Sequence, residues 1–506
     1  MVATYQKPLS ELMQLLSIEY DGDILITSLT TDSREVTSGA LFFAYPGGSV
    51  DGRDYIEAAQ QAGAAAIVYE ATIDGQVGGR RSDLNDQAKT QFQLPESITI
   101  PAFSVHQAQS MVGRVAHEFF ERATTKLQVF GVTGTNGKTT CCYLLLQALT
   151  QMGMRAAMIG TIGNGTLESM SDASHTTPDP ISLHRLMADF HAQGVTQVCM
   201  EVSSHALDQG RVNGVDFFCT LFTNLSHDHL DYHGSMAAYA ASKQRLFTDF
   251  PSELVITNAD DELGASLIDL ADAEFIVSFG EAGDVKADDI ELHENGISML
   301  IEGSGVEFSI KTPLVGKVNI PNITMLVAAL LALSSPVEKI QTVLAQLEAA
   351  PGRMELYTAG GQPKVIVDYA HTPDALEKAL LSIKEHCHGE LWCVFGCGGD
   401  RDQAKRPVMG SAAEQFADRI IVTNDTPRSE EPQQIADQVV SGIVSEAEVI
   451  LDRADAIRVA IDQAQQTDWV LIAGKGHEST QEISGIKRPF SDRQQVMQAL
   501  GLGEAA

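Results

Sequence analysis

Apolar residues occur in short continuous runs that alternate with helical stretches through most of the chain. The first series starts near Leu127 and includes LQVFGVTG, RAAMIGTIG, TQVCMEVSS, FFCTLFTNLS and ELVITNADD. A second series follows Pro351 and Gly352 and includes KVIVDYA, LWCVFG, RIIVTND, AEVIL and DWVLIAG. Continuous apolar strands separated by helices are typical of parallel sheets covered on both faces. The pattern therefore predicts two α/β regions, and the second series predicts a doubly wound, Rossmann-like sheet of five strands.

Two other regions depart from this pattern. Before residue 106, short strands and a helix from Tyr55 to Ala62 predict a small α/β domain, and the Gly-, Asp- and Gln-rich stretch from Ala71 to Pro95 predicts a surface insertion. Alternation around glycines between about 287 and 316 predicts an antiparallel meander, followed by a helix at 321–334. We therefore expect three domains, which cover residues 1–105, 106–349 and 350–506.

Composition and charge narrow the class of protein. The 506 residues are 44% hydrophobic and 20% charged, which fits a globular chain of several domains. The 34 Lys and Arg residues against 67 Asp and Glu residues give a net charge of −33, so we expect neither nucleic acid nor a membrane surface as a partner. The amino terminus does not resemble a signal peptide, no apolar run approaches about 20 residues, and most of the seven cysteines lie in apolar runs. These features predict a cytoplasmic protein with reduced thiols.

A glycine-rich turn, GVTGTNGKTT at 131–140, separates an apolar strand from an apolar helix. Backbone N–H groups and the helix dipole at such a turn bind phosphate, while Lys138 can reach the β- and γ-phosphate oxygens and Thr139 can offer a hydroxyl to Mg²⁺. The strict G-x4-G-K-[ST] spacing requires glycine where this chain has Val132. The alternative is a glycine-rich helix entry with an exposed lysine, but strand, loop, lysine, threonine and helix all coincide here. We predict a P-loop ATPase-like central domain that binds ATP through Gly134, Thr135, Asn136, Gly137, Lys138, Thr139 and Thr140.

Eight further motifs follow in order along the chain. They are MEVSSHAL (200–207), TNLSHDHLDYHG (223–234), YAASKQRLF (239–247), GRME (352–355), DYAHTPD (368–374), FGCGGDRD (395–402), NDTPRSEEP (424–432) and GKGHE (474–478). With the G-x-x-G-x-N-G-K-T loop they make the sequence resemble the Mur ligase superfamily of ATP-dependent amide-forming enzymes over nearly its whole length.

The resemblance implies an activity and assigns a different substrate to each domain. It implies a ligase that uses ATP and Mg²⁺ to join meso-diaminopimelate to the D-Glu γ-carboxylate of UDP-MurNAc-L-Ala-D-Glu through an acyl phosphate, in peptidoglycan precursor synthesis. The first domain would bind the UDP-linked substrate, the central domain ATP, and the last domain the amino acid. We further expect a monomer.

Phosphoryl transfer requires a metal and positive charge around the transferred group. Glu201 ends the TQVCMEV strand, where its carboxylate can ligate Mg²⁺ beside Thr139. The resemblance implies that His229 is a ligand of a second metal ion. It also implies that Lys243 is carried as a carbamate, N6-carboxylysine, which turns an ammonium into an anion able to reach Mg²⁺. Composition alone would make Lys243 a solvated charge on a helix. The catalytic residues implied are Lys138, His229 and Lys243.

The resemblance implies two further sets of substrate-binding residues. Those for the nucleotide are Asn319 and Asn322 on the adenine side, Arg353 at the γ-phosphate and Asp368 at the ribose. Those for the UDP-linked substrate are Ser33, Gly48, Ser49, Thr176, Thr177, Ser203, Gln209 and Arg211. Gly48 and Ser49 stand where close relatives commonly have a His-Gln pair, so the uracil contacts are expected to differ.

The residues for the amino acid lie at the carboxyl ends of three predicted strands, where doubly wound sheets bind ligands. They are Arg401, Asp425, Thr426, Pro427, Arg428, Gly474 and Glu478. Diaminopimelate differs from lysine by one carboxylate, which Arg428 can bind with two parallel hydrogen bonds, while Arg401 takes the other carboxylate and Glu478 the distal ammonium. Thr426 replaces the Asn of the family's usual DNPR. In isolation, DTPR would be an ordinary turn with a surface arginine.

Three alternatives stay open at this point. A lysine-adding ligase of the same family would differ chiefly in the C-terminal pocket, and folylpolyglutamate synthase lacks this N-terminal domain and the DxPR pocket. A non-catalytic regulator could use the phosphate loop as an ATP-dependent switch. The presence of Glu201, His229 and Lys243 together favours an enzyme.

Overall fold

The computed structural model describes residues 5–48, 50–71 and 92–503. Ser49 and most of the insertion predicted between Ala71 and Pro95 therefore lie outside the described residues. The chain forms two compact units, which divide between Phe279 and Gly280. The domain junctions expected near residues 106 and 350 stay predictions.

The first unit begins with a small parallel sheet. Its elements are β1 (Lys7–Pro8), α1 (Leu9–Gln14), β2 (Leu25–Ile26), β3 (Ser28–Thr30), β4 (Ala40–Ala44), α2 (Ile56–Gln61), β5 (Ala64–Tyr69) and β6 (Ala102–Ser104). Strands β3, β4, β5 and β6 pair in that order, all in parallel. Successive residues of β4 lie on opposite faces, with Leu41 and Phe43 in one apolar cluster and Phe42 and Ala44 in another. The sheet is thus buried on both faces, as the small α/β pattern predicted.

A larger sheet occupies the rest of the first unit. Its elements are α3 (Ala108–Phe119), β7 (Gln128–Thr133), α4 (Lys138–Gln151), β8 (Ala156–Gly160), β9 (Gly163–Thr166), β10 (Ser169–Ser171), α5 (Pro180–Ala192), β11 (Gln197–Glu201), α6 (Ser204–Asp208), β12 (Cys219–Phe222), α7 (Leu230–His233), α8 (Met236–Thr248), β13 (Ser252–Asn258), α9 (Glu262–Leu270) and β14 (Ala273–Phe279). The strand order is β10-β9-β8-β11-β7-β12-β13-β14, with β9 and β10 antiparallel. Because β7 lies in parallel between β11 and β12, the carboxyl ends of these three strands meet at one edge. This edge carries most of the predicted catalytic residues.

The second unit begins with the predicted meander. Its first elements are β15 (Val285–His293), β16 (Gly296–Gly303), β17 (Val306–Thr312), α10 (Asn319–Ala332) and α11 (Val337–Leu344). Strands β15, β16 and β17 are antiparallel neighbours, which confirms the alternation around glycines. Helix α10 begins two residues before the predicted start and is buried along most of its length, as expected for a helix with few polar residues.

The C-terminal part of the second unit is an α/β sheet. Its elements are β18 (Glu355–Tyr357), β19 (Lys364–Asp368), α12 (Pro373–Lys384), β20 (Leu391–Phe395), α13 (Lys405–Phe416), β21 (Arg419–Val422), α14 (Pro432–Val440), β22 (Glu448–Val449), α15 (Arg453–Gln463), β23 (Trp469–Ala473), β24 (Thr480–Ile483), β25 (Ile486–Pro489) and α16 (Asp492–Ala499). The strand order is β18-β19-β23-β20-β21-β22. The five predicted strands are all parallel, and β18 is an antiparallel edge strand that the sequence pattern did not predict.

Helices cover both faces of this C-terminal sheet. In β20, Leu391, Cys393 and Phe395 pack with residues of α12, α13 and α14, whereas Trp392 and Val394 pack with residues of α15 and α16. This alternation confirms the doubly wound arrangement. The β24–β25 hairpin, also unpredicted, follows the GKGHE segment.

All seven cysteines belong to the described residues, and none forms a disulfide. Six of them are buried, and burial raises the thiol pKa of Cys199 and Cys393. Within the described ranges, every helix is too short or too polar to cross a bilayer.

Candidate active site

The phosphate loop lies where the sequence predicted it, between the end of β7 at Thr133 and the start of α4 at Lys138. Gly134 and Gly137 have φ of +148° and +84°, which L side chains rarely adopt. A Cβ on Gly134 would also collide with the Thr223 side chain. Both glycines are therefore required by the backbone geometry, and the loop ends at a helix N-terminus suited to an anion.

The segment after β12 holds the phosphate loop in place. The N–H of Thr135 donates to the carbonyl of Asn224 at 2.8 Å, and the N–H of Asn136 donates to the Asn224 side-chain oxygen at 3.1 Å. The Thr223 hydroxyl donates to the carbonyl of Asn136 at 2.6 Å. The TNLS motif was noted in the sequence without a role for these residues. The structure shows that they fix the loop from the neighbouring strand.

Lys138 lies over the loop that precedes it. Its Nζ donates to the carbonyls of Gly134 and Thr135, both at 2.8 Å. The ammonium is therefore held at the phosphate loop, where a point charge can act on a transferred phosphoryl group. This position agrees with the role predicted for Lys138.

Glu201 and Thr139 are brought together as predicted. The Thr139 hydroxyl donates to Glu201 Oε2 at 2.8 Å, and Glu201 is only 1% exposed. Thr161, just after β8, donates to the same carboxylate through its N–H (2.7 Å) and its hydroxyl (3.2 Å). Carboxylate and hydroxyl oxygens are the hard ligands that Mg²⁺ prefers, so this donor set fits the metal. Thr161 was not predicted, although the GTIG turn after an apolar strand marks the same sheet edge.

Lys243 on α8 is buried at the phosphate loop rather than solvated. It is 1% exposed, its Nζ donates to the carbonyl of Gly134 at 2.6 Å, and it lies 4.5 Å from the centre of the Tyr239 ring. Lys138 donates to the same carbonyl, so two ammonium groups would share one acceptor. Burial above all, and the neighbouring Lys138, lower the pKa of Lys243 well below its usual value. The neutral amine, which is a nucleophile, is thereby favoured.

His229 lies next to this lysine pair. Its φ is +53°, its N–H donates to Asp228 Oδ1 at 2.8 Å, and its ring meets that of His205 edge-on at 4.9 Å. Burial lowers the pKa of His229, and the two lysines add to this effect against the opposing Asp228. A neutral imidazole can ligate a metal. Within the described residues, no group of three or more His, Cys, Asp or Glu side chains is placed to hold a metal ion.

The residues predicted for the sugar-peptide part cluster beside Glu201. Thr177 donates from its hydroxyl to the carbonyl of Glu201 at 2.7 Å and accepts from the N–H of Ser203 at 3.1 Å. Arg211 donates to the carbonyl of Thr177 at 2.9 Å and to the Gln209 side-chain oxygen at 2.7 Å. The Thr176 hydroxyl is 3.0 Å from that of Thr161. The structure therefore joins these residues into one network that continues from the predicted metal ligands.

The residues predicted for the uridine end belong to the small N-terminal sheet. Ser33 follows β3 and Gly48 follows β4, so both lie after the carboxyl ends of adjacent parallel strands, whereas Ser49 lies outside the described residues. Tyr45, which was not predicted, is largely buried at the end of β4. Its burial, followed by the charge of Asp179, raises its pKa to about 12, and Arg211 opposes this shift.

The nucleotide-binding residues predicted in the second unit form internal contacts. Asn319 donates to the carbonyl of Val315 at 2.7 Å and accepts from Asn322 at 3.1 Å. Asp368 accepts from the N–H of Met354 at 2.7 Å and from that of Ala370 at 2.8 Å, and its burial raises its pKa. Asp368 therefore fixes the turn that carries Arg353, and its role at the ribose stays a prediction.

Arg353 in this turn stacks on Tyr369. The guanidinium carbon lies 4.1 Å from the centre of the ring, within the range of a cation–π contact. The ring of His477 lies 5.2 Å from the same tyrosine, so the GRME turn and the GKGHE loop are packed together. Tyr369 was not among the predicted site residues, and only its place beside Asp368 in DYAHTPD could have suggested it.

The residues predicted for the amino acid converge at the carboxyl ends of β20, β21 and β23. A Cβ on Gly398 would lie 3.4 Å from Arg428 Nη1 and 3.8 Å from Arg401 Cγ, so both arginines flank this glycine. A Cβ on Gly474 would lie 2.6 Å from Asp425 Oδ2, so these two residues are also neighbours. The DTPR segment therefore faces both other loops of the predicted site.

Arg428 is held by its backbone as well as its side chain. Its φ is +53°, its N–H donates to the carbonyl of Glu482 at 3.0 Å, and its guanidinium donates to the carbonyl of Gly399. Pro427, the preceding residue, is buried against Gly399. The unpredicted β24–β25 hairpin thus supports the arginine that the sequence assigned to a carboxylate.

Comparison with protein families gives three matches. The Mur ligase middle domain matches residues 132–331, the Mur ligase glutamate ligase domain matches 352–476, and the catalytic domain of the Mur ligase family matches 25–112. The three matches follow the order of the small N-terminal sheet, the central region and the C-terminal sheet.

Relatives and solved structures agree with these matches. A protein of Coxiella burnetii is 43% identical over 504 residues, which cover 98% of this chain and 99% of the relative. A protein of Neisseria meningitidis serogroup B is 41% identical over 480 residues, which cover 93% and 94%. Both are named UDP-N-acetylmuramoyl-L-alanyl-D-glutamate–2,6-diaminopimelate ligase. A solved structure with the same name has a TM-score of 0.70, 32% identity and full coverage of both chains.

These similarities extend over the whole length of the chain and over its fold. They confirm the predicted α/β architecture of three domains, although they leave the exact junctions open. The resemblance stated from the phosphate loop and the eight ordered motifs is confirmed as well. The chain belongs to the Mur ligase family.

Proposed function

We infer that this protein is an ATP-dependent, ADP-forming ligase that joins 2,6-diaminopimelate to UDP-N-acetylmuramoyl-L-alanyl-D-glutamate, and so makes a peptidoglycan precursor. The observation that carries this function is the 43% identity, over nearly all of both chains, to a ligase of that name. The phosphate loop carries groups suited to phosphoryl transfer from ATP, and the C-terminal arginines are suited to bind the carboxylates of the amino acid. The names of the two relatives agree with the activity implied by the sequence resemblance.

The chemistry follows from making an amide in water. An oxygen of the D-Glu γ-carboxylate attacks the γ-phosphorus of ATP and ADP leaves, which gives an acyl phosphate. The amine of the amino acid then attacks the acyl carbon, inorganic phosphate leaves, and the amine loses a proton. Catalysis of the first step is mostly positioning and electrostatic stabilisation. Lys138 at the phosphate loop is suited to stabilise the transferred phosphoryl group.

Thr139 and Glu201 are the residues that would hold Mg²⁺, with His229 as the ligand of a second ion. Their donor atoms support this assignment, because the Thr139 hydroxyl and the Glu201 carboxylate already lie 2.8 Å apart. Bound Mg²⁺ would neutralise phosphate charge during the transfer. The protein's own part is to orient the Glu201 carboxylate, which the two Thr161 donors do.

Lys243 is proposed to act as a carbamate. Its neutral amine can add to CO₂ with loss of one proton, which turns the neutral side chain into an anion. Two observations support this step: Lys243 is 1% exposed, and it shares the Gly134 carbonyl with Lys138. Two ammonium groups on one carbonyl repel each other, whereas an anionic carbamate is attracted to Lys138 and to Mg²⁺.

The amino acid is proposed to be meso-diaminopimelate. Arg428 binds the carboxylate that lysine lacks, Arg401 binds the other carboxylate, and Glu478 binds the distal ammonium. Arg428 and Arg401 flank the same glycine, Gly398, which supports a shared role in binding one ligand. Lysine would leave the Arg428 guanidinium without its carboxylate, and sites built around such a pair discriminate strongly.

The other substrate contacts are proposed as the sequence implied them. Arg211, Gln209, Ser203, Thr177 and Thr176 bind the sugar-peptide part, and their hydrogen-bonded network next to Glu201 supports this. Ser33 and Gly48 contact the uridine end, with Asn319, Asn322, Arg353 and Asp368 at ATP. We place the reaction in the cytoplasm, where ATP is supplied, and expect a monomer that binds small molecules only.

One assay tests this function and its alternatives together. ADP release is measured with UDP-MurNAc-L-Ala-D-Glu and ATP, with meso-diaminopimelate, L-lysine or L-glutamate added in turn. We expect release that depends on both the dipeptide and diaminopimelate, with the tripeptide product identified by mass spectrometry. A lysine-adding ligase would prefer lysine, and a regulator would release no ADP in response to any acceptor.

A further inference from the structure

A buried lysine lies at the centre of the proposed amino-acid site. Lys475 is 0% exposed, and its Nζ donates to Glu478 Oε2 at 2.8 Å and to Thr426 Oγ1 at 3.3 Å. Glu478 and Thr426 come from two different loops, one after β23 and one after β21. Lys475 was not among the predicted site residues, and a lysine beside two glycines would ordinarily be solvated.

The backbone explains why this side chain is buried. Gly474 and Gly476, on either side of Lys475, have φ of +118° and +52°. A Cβ on Gly474 would lie 2.6 Å from Asp425 Oδ2, and one on Gly476 would lie 2.6 Å from the carbonyl oxygen of Gly352. The loop is therefore packed closely on both sides, and these contacts hold Lys475 against the DTPR segment. A glycine is needed at both flanking positions.

Burying an unpaired ammonium is unfavourable, so the buried Lys475 needs a partner. The lysine pairs with one carboxylate oxygen of Glu478, whose side chain is 39% exposed. Within the described part of the chain, no donor is bonded to the other oxygen, Oε1. The carboxylate is thus held on one side by the buried Lys475, and the partly exposed Glu478 side chain can meet a cation from solvent.

We propose that Lys475 is a positioning residue that sets the affinity and selectivity for the amino acid by fixing the Glu478 carboxylate and the Thr426 hydroxyl, without touching the substrate itself. This inference rests on the proposed function, because it takes Glu478 as the partner of the distal ammonium. A glutamate held in one rotamer loses less conformational entropy when the ligand binds. Lys475 also adds a link between two loops that the Arg428 N–H and the Glu482 carbonyl already join.

The proposal makes a specific kinetic prediction for Lys475→Met, which keeps the length of the side chain and removes its charge. The KM for meso-diaminopimelate should rise about 10- to 100-fold, the range expected for losing a charged hydrogen bond. The KM for ATP and for UDP-MurNAc-L-Ala-D-Glu should stay within about twofold, since Lys475 contacts neither proposed site. Initial rates of ADP release by the full-length enzyme measure all three constants.

A double-variant cycle distinguishes a role of Lys475 in positioning Glu478 from a general structural defect. If Lys475 acts through Glu478, then Lys475→Met should have little further effect on the KM for diaminopimelate in a Glu478→Gln background. A structural defect would instead add to the Glu478→Gln effect. Lys378→Met is the matched control, because Lys378 forms a similar 2.8 Å pair with Asp374 on the exposed face of α12, and it should leave every constant unchanged.

The outcomes are distinct. Absence of diaminopimelate-dependent ADP release by the native enzyme would contradict the proposed function itself. An active native enzyme combined with an unchanged KM in Lys475→Met, an equal rise in all three KM values, or additive effects in the cycle would overturn the role of Lys475. If Lys475→Met shows no cooperative melting, Lys475→Gln decides, because it keeps a hydrogen-bond donor and removes the charge: a rise of about threefold or more in the KM for diaminopimelate alone supports the proposal, and an unchanged KM contradicts it.

Discussion

The phosphate-loop region of the first unit and the proposed amino-acid region of the second unit lie at the corresponding edges of two different sheets. Their side chains differ in how far they are exposed. Both regions lie at the carboxyl ends of parallel strands. Near the phosphate loop, Glu201 and Lys243 are each 1% exposed and bond to Thr139 of α4 and to Gly134 of the loop, whereas Lys138 is partly exposed and His229 is exposed. At the amino-acid site Arg401 is exposed and Arg428 and Glu478 are partly exposed, on loops supported by a hairpin.

The difference reflects what each site must do. Phosphoryl transfer is the same for any acceptor and depends on fixed charges in a site of low dielectric, which agrees with the burial of Glu201 and Lys243. Selection of an acceptor depends on a few groups that face the ligand, and a change there alters the substrate without removing the chemistry. Variants in the two regions should therefore separate rate from selectivity.

The largest expected effect is on selectivity at the second region. Arg428→Ala should lower the ratio of kcat/KM for meso-diaminopimelate to kcat/KM for L-lysine by about 10⁴, because lysine lacks the carboxylate that Arg428 binds. Steady-state rates of ADP release with each amino acid give the ratio. Arg419→Ala, an exposed arginine of β21 paired with Glu390, is the control and should keep the native ratio. A native preference for lysine, or an unchanged ratio in Arg428→Ala, would contradict the assignment.

The next effect tests the first region and should leave selectivity alone. Lys138→Ala should lower kcat by about 10³ with either amino acid, because the charge on the transferred phosphoryl group is lost. The ratio between the two amino acids should stay as in the native enzyme. Single-turnover measurements of acyl-phosphate formation locate the loss at the phosphoryl step. Near-native turnover in Lys138→Ala would contradict the catalytic role assigned to Lys138.

Lys243 allows a further test of the first region, because an added small carboxylate can replace its proposed carbamate group. Lys243→Ala should lose at least about 10² in kcat, as the carbamate anion is removed. Formate or acetate at millimolar concentration should restore part of the activity, since a small carboxylate can enter the space left by the side chain. Lys138→Ala is the matched control and should not respond to these anions. Failure of every short carboxylate to rescue a folded Lys243→Ala protein would count against the carbamate.

The smallest effect is expected at the one position where the amino-acid loop departs from the family's usual sequence. Thr426→Asn offers an amide in place of one hydroxyl, and a single added hydrogen bond should lower the KM for meso-diaminopimelate by about 2- to 10-fold. The KM for ATP and kcat should not change. Initial rates over a range of amino-acid concentrations measure the shift, and a raised KM would show that Thr426 suits this chain better than Asn.

Much of the fold could be predicted because its signals are local. The apolar runs that become β7, β11 and β20 are continuous, and each stands before a turn and a helix. Strand β18 escaped prediction because it has only three residues, and the β24–β25 hairpin because its residues are mostly polar. Such strands form because an adjacent strand provides hydrogen-bond partners, and the local sequence pattern does not reveal these partners.

The sequence by itself determined the order of the α/β regions, the phosphate loop and the residue types at each strand end, since these depend on the spacing of residues close in the chain. Only the tertiary structure decided which of these residues meet. Thr161 bonds to Glu201 across 40 positions, Asn224 holds a loop 88 positions earlier, and Lys475 pairs with Thr426 across 49. Such contacts arise because parallel strands bring their carboxyl ends to one edge of a sheet. Lysines buried at this edge need partners, because an unpaired buried charge is unfavourable.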